Sequence, residues 1–384
     1  MQENTEVSRA IEALKAGKLI VAIDDASKHI SGYLVLAAEK VLSRDICFMV
    51  NFGRGVISAA ITEERLADLG LHMMTPAKAN SAPDFFVSVD ARNNVTTGIS
   101  ASDRAATLQA LATTAHPKLD LVMPGHIFPL RANNGGVLVN SGIAEASTDL
   151  LKLANLVPVA AICHCLNKDG DFASYEELLE LADVNDLRTV GISDIIKHKL
   201  ATENIIEKIA DTRIPLKQHG TFRAVVFRSK SDDSEHLALI KGDIGELASD
   251  GTSRAVLVRV QAEHRIGDLL GIDNANTRDS IHSALSTISE AGCGVLVYIR
   301  HPKKGVLQAQ VEALARKSAF TPTKSRELRE TGIGFQILSA LGIRRIKLLT
   351  NSSQELAGIK AFSVEIVDRL PLKPQESISQ EKVC

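Results

Sequence analysis

Apolar and polar positions follow one another along the first half of the chain in a pattern that predicts alternating strands and helices. Short apolar runs predict buried strands, and runs with apolar residues three or four positions apart predict amphipathic helices. The predicted strands are 19–23, 56–61, 85–89 and 157–163, and the predicted helices are 8–15, 63–69, 101–114 and 175–182. This order predicts an α/β or α+β fold with a mixed sheet.

A second series of elements begins near Ile214, after a charged helical segment that ends within 201–212. Its predicted strands are 221–227, 237–241, 254–260, 295–300 and 346–350, and its predicted helices are 279–290 and 334–341. The pattern therefore predicts two domains. Their bounds are 1–205 for the first, 206–213 for a linker, 214–372 for the second, and 373–384 for a polar tail predicted to be disordered.

Composition supports this division and excludes several classes of protein. A length of 384 residues suits two domains, and 45% hydrophobic with 23% charged residues is typical of a globular protein. A net charge of −2 gives no reason to expect nucleic-acid or membrane binding. The start of the chain does not read as a signal peptide, and no apolar run is long enough for a membrane span. The cysteines are odd in number and lack framework spacing, which predicts reduced thiols and a cytoplasmic location: Cys47, Cys163, Cys165, Cys293 and Cys384.

Two long motifs distinguish the first half. Residues 95–104 read VTTGISASDR, and residues 124–132 read PGHIFPLRA, followed by the Gly-Gly pair at 135–136 and by Glu145-Ala146. Together they resemble 3,4-dihydroxy-2-butanone 4-phosphate synthase over roughly residues 5–205. The resemblance implies a homodimer that converts ribulose 5-phosphate to a four-carbon phosphate and formate, using magnesium and a set of acidic residues.

The acidic loop of that family departs from its pattern here. The family sequence Asp-Asp-x-x-Arg-Glu-Asn-Glu-Gly-Asp aligns with DDASKHISGY at 24–33. In this alignment Lys28 replaces the arginine that holds the substrate phosphate, and His29 replaces a glutamate that ligates the metal. Ser31 and Tyr33 replace two further acids. Lysine keeps the positive charge but not the bidentate geometry of arginine.

Further replacements fall on the second metal ligand and on a catalytic acid. Ile143 stands where the family has a metal-ligating histidine, and Asn140 stands where it has an arginine. His164 takes the position of a catalytic glutamate. Magnesium prefers hard oxygen ligands, and the reaction needs carboxylates to move protons at carbon. We therefore expect no bound magnesium and no parent lyase activity.

Several polar residues still match the family. They are Thr97, Asp103, His126, Arg131 and Glu145. One interpretation is a remaining phosphosugar-binding pocket, and the other is a set of hydrogen bonds that fixes the loops. The candidate catalytic residues are Lys28, His29, His126 and His164, whose side chains can support acid–base or imine chemistry.

The triplet Cys163-His164-Cys165 has two interpretations. With His29 it could form a soft-metal site. On a strand, however, the two thiols would point to one face and His164 to the other. A buried strand with small apolar cysteines is therefore the favoured interpretation.

The second half resembles GTP cyclohydrolase II from Ile214 to about Pro371. The matching segments are 220–222, 259–260, 267–268, 297–300, 341–343 and 348–351. The resemblance implies hydrolytic opening of the imidazole ring of GTP, with release of formate and pyrophosphate, by a water that zinc activates.

The ligands and the nucleotide loop of that family are also altered. His264, Ala275 and Thr277 align with its three zinc thiolates, and one potential ligand cannot make a catalytic zinc site. The family loop Gln-Glu-Gly-Arg becomes the segment 301–304, and a phosphate-binding lysine is missing near Gln354. Nucleotide contacts could remain at Arg300, Lys303, Glu327, Arg329 and Thr350. Alternatively, Glu327 and Arg329 form a solvated charge pattern at a helix start.

Three hypotheses for function follow, none of which includes a bound cofactor. The first is a non-catalytic homodimeric paralogue that binds a riboflavin-pathway enzyme or a phosphorylated small molecule. The second is a repurposed enzyme on a phosphosugar or nucleotide, acting as a lyase on a pentulose phosphate or a related phosphosugar rather than as a GTP cyclohydrolase. The third is a riboflavin-pathway enzyme with unusual residues.

Overall fold

The computed structural model describes residues 5–27, 29–75, 84–245, 254–272, 277–301, 306–315, 323–351 and 364–372. The chain divides into two compact units. The first comprises residues 1–199 with 323–325, and the second comprises residues 200–322 with 326–384. Among the described residues, no helix combines the length and the apolar character that a membrane crossing needs.

The first unit is built on a mixed seven-stranded sheet with the order β4-β5-β3-β6-β2-β1-β7. Its strands are β1 Ile20–Asp24, β2 Ser31–Ala37, β3 Arg54–Thr62, β4 Val89–Ala91, β5 Leu121–Ala132, β6 Val159–Cys165 and β7 Arg188–Gly191. Its helices are α1 Glu6–Lys15, α2 Ser43–Phe48, α3 Glu63–Asp68, α4 Ala101–Thr113, α5 Pro117–Asp120, α6 Ile143–Leu153, α7 Tyr175–Val184 and α8 Ile192–Thr202. The pairs β1–β7 and β3–β5 are parallel, and the other pairs are antiparallel.

Helix starts in this unit follow the capping signals in the sequence. The Ser100 side chain accepts a hydrogen bond from the backbone N–H of Asp103 and begins α4. Ser174 and Glu177 form a reciprocal capping box at the start of α7. Such caps satisfy backbone donors that a helix cannot satisfy itself. The central strands bury aliphatic residues on the sheet face that α2, α4 and α7 cover.

The second unit has its own mixed seven-stranded sheet, ordered β14-β13-β11-β12-β10-β9-β8. Its strands are β8 Ile206–Leu216, β9 Gly220–Ser229, β10 Glu235–Lys241, β11 Val256–Ala262, β12 Gly294–Ile299, β13 Arg345–Leu349 and β14 Glu365–Leu370. Its helices are α9 Arg265–Leu270, α10 Thr277–Ala291, α11 Val306–Ala315 and α12 Lys324–Ala340. Strands β12, β11, β13 and β14 run parallel, whereas β8, β9, β10 and β12 pair antiparallel.

These sheets confirm the predicted two-domain fold with mixed sheets, and they correct several details. Residues 206–213, predicted as a linker, lie within β8. Regular strand structure near 85–89 is confined to β4, with isolated bridges at Phe85 and Phe86. Strand β2 has no counterpart among the predicted strands, because its first residues fall in the aligned acidic loop. The predicted tail, 373–384, lies outside the described residues.

Candidate functional site

A carboxylate–imidazole pair lies where β4 meets β5. Asp90 Oδ2 is 2.8 Å from Nδ1 of His126, and its Oδ1 accepts the backbone N–H of His126 at 2.9 Å. The Asp90 side chain is nearly buried, whereas 42% of the His126 side chain is exposed. In the neutral imidazole, Nδ1–H donates to the Asp90 carboxylate, and Nε2 is then an acceptor. The pair can therefore accept a proton from a ligand.

Glycine is required next to this pair. A Cβ at Gly98 would lie 2.1 Å from Asp90 Oδ2 and 2.6 Å from His126 Nδ1. The Gly98 backbone also has a φ of +85°, which side chains rarely adopt. The loop between β4 and α4 thus approaches the imidazole as closely as sterics allow.

Asp103 holds that loop in place. Its Oδ2 accepts hydrogen bonds from the Thr96 hydroxyl at 2.9 Å and from the Gly98 N–H at 3.0 Å. Burial alone would raise the pKa of Asp103, but these hydrogen bonds outweigh it and lower the pKa. The carboxylate is therefore occupied by the protein itself, while the neighbouring Thr97 is exposed. Of the predicted substrate ligands, Asp103 supports the loop and Thr97 is available to a ligand.

Glu145 is a buried carboxylate, 2% exposed, at the start of α6. Its Oε1 accepts hydrogen bonds from the Asn133 backbone N–H and from the Asn140 side-chain amide, each at 3.0 Å. Asn140, which aligns with an arginine of the family, thus bonds to the acid without adding a charge. The network joins the loop after β5 to α6.

Arg131 is held by two carboxylates. Its Nε donates to Asp84 Oδ2 at 3.2 Å, and its Nη1 lies 3.4 Å from Glu63 Oε1. Nη2 also contacts Asp84. Both acids compete with any phosphate for this guanidinium. A substrate role for Arg131 stays a prediction.

The acidic loop keeps its first carboxylate in a turn. Asp24 accepts hydrogen bonds from the Ala26 and Ser27 N–H groups and from the Ser27 hydroxyl. Burial raises the pKa of Asp24, and the bonds from Ser27 oppose that shift. His29 is exposed, and Lys28 lies outside the described residues.

Three rings occupy the end of this loop and the neighbouring strand. Tyr33 on β2 is paired with His164 on β6, and the centroids of their rings are 3.9 Å apart. The third ring is that of Phe172, whose centroid lies 5.3 Å from the centroid of the His164 ring. Burial raises the pKa of Tyr33 to about 12 and lowers the pKa of His164, so both side chains are neutral at pH 7. Ring contacts thus stand where the family alignment places two acids.

Magnesium does not fit this donor set. Ile143, at the aligned position of a metal-ligating histidine, is 8% exposed and offers no lone pair. The other aligned position holds His29, a nitrogen ligand where magnesium prefers oxygen. Within the described ranges, no group of three His, Cys, Asp or Glu side chains is placed to hold a metal ion.

The cysteine triplet lies at the end of the buried strand β6. Cys163 and Cys165 are 0% and 1% exposed, on the face of β6 opposite to His164. Burial raises the pKa of Cys163 to about 11 and that of Cys165 to about 12. The predicted alternation of side chains is confirmed, and the thiols remain protonated at neutral pH.

The residues aligned with zinc ligands in the second unit do not fit zinc. His264 Nδ1 accepts the Gly267 N–H at 3.0 Å and so caps α9. The backbone N–H of His264 and the hydroxyl of Tyr298 both donate to Asp268 Oδ2, at 2.8 and 2.6 Å. Thr277 begins α10, and Ala275 lies outside the described residues. Hydrogen bonds between protein groups thus join α9 to β12.

The predicted nucleotide-binding residues are spread over several elements of the second unit. Arg300 follows β12 and is exposed, with Nε 3.7 Å from Glu263 Oε1. Glu327 is exposed on α12, whereas Arg329 is partly buried, and burial lowers the pKa of Arg329. Thr350 lines a cavity of about 140 Å³. Lys303 lies outside the described residues.

Two further residues of that cavity were missed from the sequence. The Arg259 guanidinium donates to Gln261 Oε1 at 2.7 Å and to the Leu349 carbonyl at 3.0 Å. Glu330 bonds to Arg326 at 2.6 Å and to His301 at 3.0 Å. In the first unit, Asp90 and Phe172 were also missed. Residues so far apart in sequence carry no local signal of their contact.

Comparison with known proteins identifies both units. The profile of 3,4-dihydroxy-2-butanone 4-phosphate synthase matches residues 8–198, and that of GTP cyclohydrolase II matches residues 207–371. The riboflavin biosynthesis protein RibBA of Aquifex aeolicus is 38% identical over 381 residues, which cover 96% of this chain and 92% of that protein. A probable monofunctional riboflavin biosynthesis protein of Oryza sativa subsp. japonica, RIBA 3, is 40% identical over 96% of this chain and 70% of its own length.

A solved structure extends the similarity to the whole fold. RibBX of A. baumannii, a two-domain 3,4-dihydroxy-2-butanone 4-phosphate synthase, superposes with a TM-score of 0.78 at 30% identity. The match covers 95% of this chain and 99% of RibBX. The chain therefore belongs to the family of bifunctional riboflavin biosynthesis proteins that join a 3,4-dihydroxy-2-butanone 4-phosphate synthase domain to a GTP cyclohydrolase II domain.

Proposed function

We propose that this member of the riboflavin biosynthesis family lacks both parent activities and binds a phosphorylated small molecule or a partner protein. The observation that carries the proposal is Ile143, a buried aliphatic side chain at the aligned position of a metal ligand. An aliphatic side chain can neither coordinate magnesium nor polarise a carbonyl. The names of the relatives describe enzymes, whereas this chain departs from the family pattern at the site positions compared above.

The first unit supports the proposal at a second, independent place. Tyr33 and His164 are both neutral and their rings are in contact at a tilt of 41°, so they leave no carboxylate at two positions that the family reaction uses. Restoring the metal site alone would not restore these acids. Loss of the reaction therefore does not depend on one substitution.

The second unit supports it through its own lost ligands. Activation of water by zinc needs three protein ligands and an open position. His264 uses Nδ1 to cap α9, and Thr277 offers a neutral hydroxyl. The GTP cyclohydrolase reaction is therefore excluded from the proposed function.

Formate release tests the proposal directly. The purified chain is incubated with ribulose 5-phosphate and magnesium, and separately with GTP and zinc, beside the Aquifex aeolicus relative as the matched control. We expect no formate above the no-enzyme rate and no stoichiometric metal by elemental analysis. Formate released at a rate near that of the relative contradicts the proposal for that domain.

A second candidate function is a repurposed enzyme that acts on a phosphosugar or nucleotide. It is favoured by Asp90 and His126, which keep an acceptor nitrogen exposed to a ligand. Such an enzyme would be a lyase on a pentulose phosphate or a related phosphosugar, with Lys28, His29 and His164 as further candidates. Turnover in a phosphosugar and nucleotide screen, abolished by His126→Asn and Lys28→Ala, would favour this function over the first.

The partners are part of the proposal. We expect a cytoplasmic homodimer, or a pair with a catalytic riboflavin-pathway enzyme, because paralogues inherit self-complementary surfaces. Native mass spectrometry of the chain, alone and mixed with such an enzyme, checks this. A monomer in both samples contradicts the partner role.

A further inference from the structure

Two histidines meet end to end in the second unit, and neither is among the residues aligned with a parent site. His219 lies in the turn between β8 and β9, and His282 lies on α10. Nε2 of His219 is 3.3 Å from Nδ1 of His282, and the ring centroids are 5.6 Å apart. These distances place both nitrogens on the line between the rings. The contact is therefore an N–H···N hydrogen bond, in which one ring donates and the other accepts.

The pair by itself is not a metal site, because no third His, Cys, Asp or Glu side chain among the described residues is placed to complete one. The hydrogen bond forms as long as one of the two facing nitrogens keeps a lone pair. It is lost when both facing nitrogens carry a proton.

The backbone of His219 is held at the same point. Its carbonyl accepts a hydrogen bond from Lys241 Nζ on β10 and another from Ser289 Oγ on α10, both at 3.0 Å. Lys241 also donates to the Thr221 carbonyl at 3.3 Å and lies 4.9 Å from the centre of the Phe222 ring. The His219 carbonyl thus connects the β8–β9 turn to both β10 and α10 by hydrogen bonds.

The two groups whose charges act on His219 are both basic. His219 is 8% exposed. Burial, then His282 on α10, then Lys241 on β10 lower the pKa of His219. The ring of Phe222 on β9, whose centre lies 4.9 Å from Lys241 Nζ, carries no charge. Protonation of both rings therefore places three cations together in a half-buried site.

We infer that His219 and His282 form an acid-released clasp, which holds the β8–β9 turn on α10 at neutral pH and frees it when both rings are protonated. The sign follows from the lowered pKa of His219: the open state binds the proton more readily, so acid favours opening. The clasp is complete above the usual histidine value near 6.5 and weakens as the pH falls below it. This inference does not depend on the proposed loss of catalysis.

Hydrogen exchange on the full chain tests the clasp. Protection of amides 217–222, corrected for the intrinsic exchange rate, is compared at about pH 7.5 and about pH 5.5, on either side of the usual histidine value. We expect at least about a fivefold loss of protection in acid, because two unit charges about 4 Å apart repel even in water. The His282→Gln variant keeps a hydrogen-bonding side chain that cannot gain a charge, so its acid step should be smaller than that of the wild type, with only the effects of burial and Lys241 on His219 remaining.

The control is His116→Gln, which alters an exposed histidine of the first unit and should keep the acid step. Equal protection of the wild-type turn at both pH values overturns the inference, and so does an unchanged acid step in His282→Gln. If that variant does not fold, an NMR titration of the wild-type imidazoles decides. Two coupled steps support the clasp, and two independent titrations overturn it.

Discussion

Tyr33 and His164 face each other across β2 and β6, with their ring centroids 3.9 Å apart. Both positions align with acids of the parent family, so the two replacements lie in direct contact and form one feature. An aromatic pair gains from contact between rings, whereas two neighbouring carboxylates repel and need a cation or a proton. The pair therefore stabilises the sheet at the place where the parent site would need charge.

Replacing His164 by alanine tests that stabilising role. His164→Ala removes the ring between Tyr33 and Phe172 and should lower the free energy of unfolding by about 1–2 kcal/mol. A double-mutant cycle with Tyr33→Leu should give a coupling of about 0.5–1.5 kcal/mol. Urea unfolding of the full chain measures both. His116→Ala, at an exposed position, is the control and should have little effect; additive losses at Tyr33 and His164 would show that the ring contact contributes nothing.

The sequence predicted the elements well where pattern and caps agreed. A helix is predicted from residue 101, and α4 begins there with Ser100 as its cap. The strand 157–163 and its buried cysteines were also found. Strand β8 was missed because most of its residues are exposed, so the hydrophobic alternation that marks a strand is weak. Contacts such as Asp90 with His126 depend on which strands pair, and composition and spacing do not specify that pairing.

The buried thiols of β6 should resist alkylation. Burial raises the pKa of Cys163 to about 11 and that of Cys165 to about 12, and only the thiolate is nucleophilic. At about pH 8.5, where an ordinary thiol is half ionised, both remain protonated. Iodoacetamide followed by peptide mass spectrometry should therefore label the exposed Cys47 well before them. Equal labelling of Cys47 and Cys163 would contradict the predicted order.

The same shifts predict loss of stability in alkali. The folded thiols titrate above the unfolded ones, so their contribution is complete below the ordinary thiol value near 8.5 and is lost as the pH rises through the folded values. The double variant Cys163→Ala/Cys165→Ala should lose this alkaline step. Chemical unfolding between about pH 7 and about pH 10 measures it. A step that persists in the double variant would assign it to other groups.

Asp90 should set the tautomer of His126. In the neutral ring, the carboxylate accepts a hydrogen bond from Nδ1–H at 2.8 Å, and Nε2 carries no proton. In Asp90→Asn the amide is a weaker acceptor, so we expect the population of the Nδ1–H form to fall. Nitrogen-15 NMR of the imidazole distinguishes the two tautomers. Asp171→Asn, at an exposed loop position, is the control, and an unchanged His126 spectrum in Asp90→Asn would remove the positioning role.

A buried ion pair should dominate the stability of the loop before α6. Asp149 Oδ1 lies 3.1 Å from Lys199 Nζ, and its Oδ2 accepts the Val137 N–H at 2.9 Å. Both side chains are nearly buried, so removing one partner leaves a charge without compensation, at a cost of about 3–5 kcal/mol. Asp149→Asn and Lys199→Met should each destabilise by that amount in urea unfolding.

The double variant separates a true ion pair from two independent losses. Removing both charges together leaves none uncompensated, so Asp149→Asn/Lys199→Met should be much less destabilising than the sum of the single variants. Lys15→Met, which breaks the exposed pair with Glu12, should cost no more than about 1 kcal/mol. Strict additivity of the Asp149 and Lys199 variants would mean that each side chain stabilises the fold through other contacts. The charge left in each single variant would then be compensated by another group.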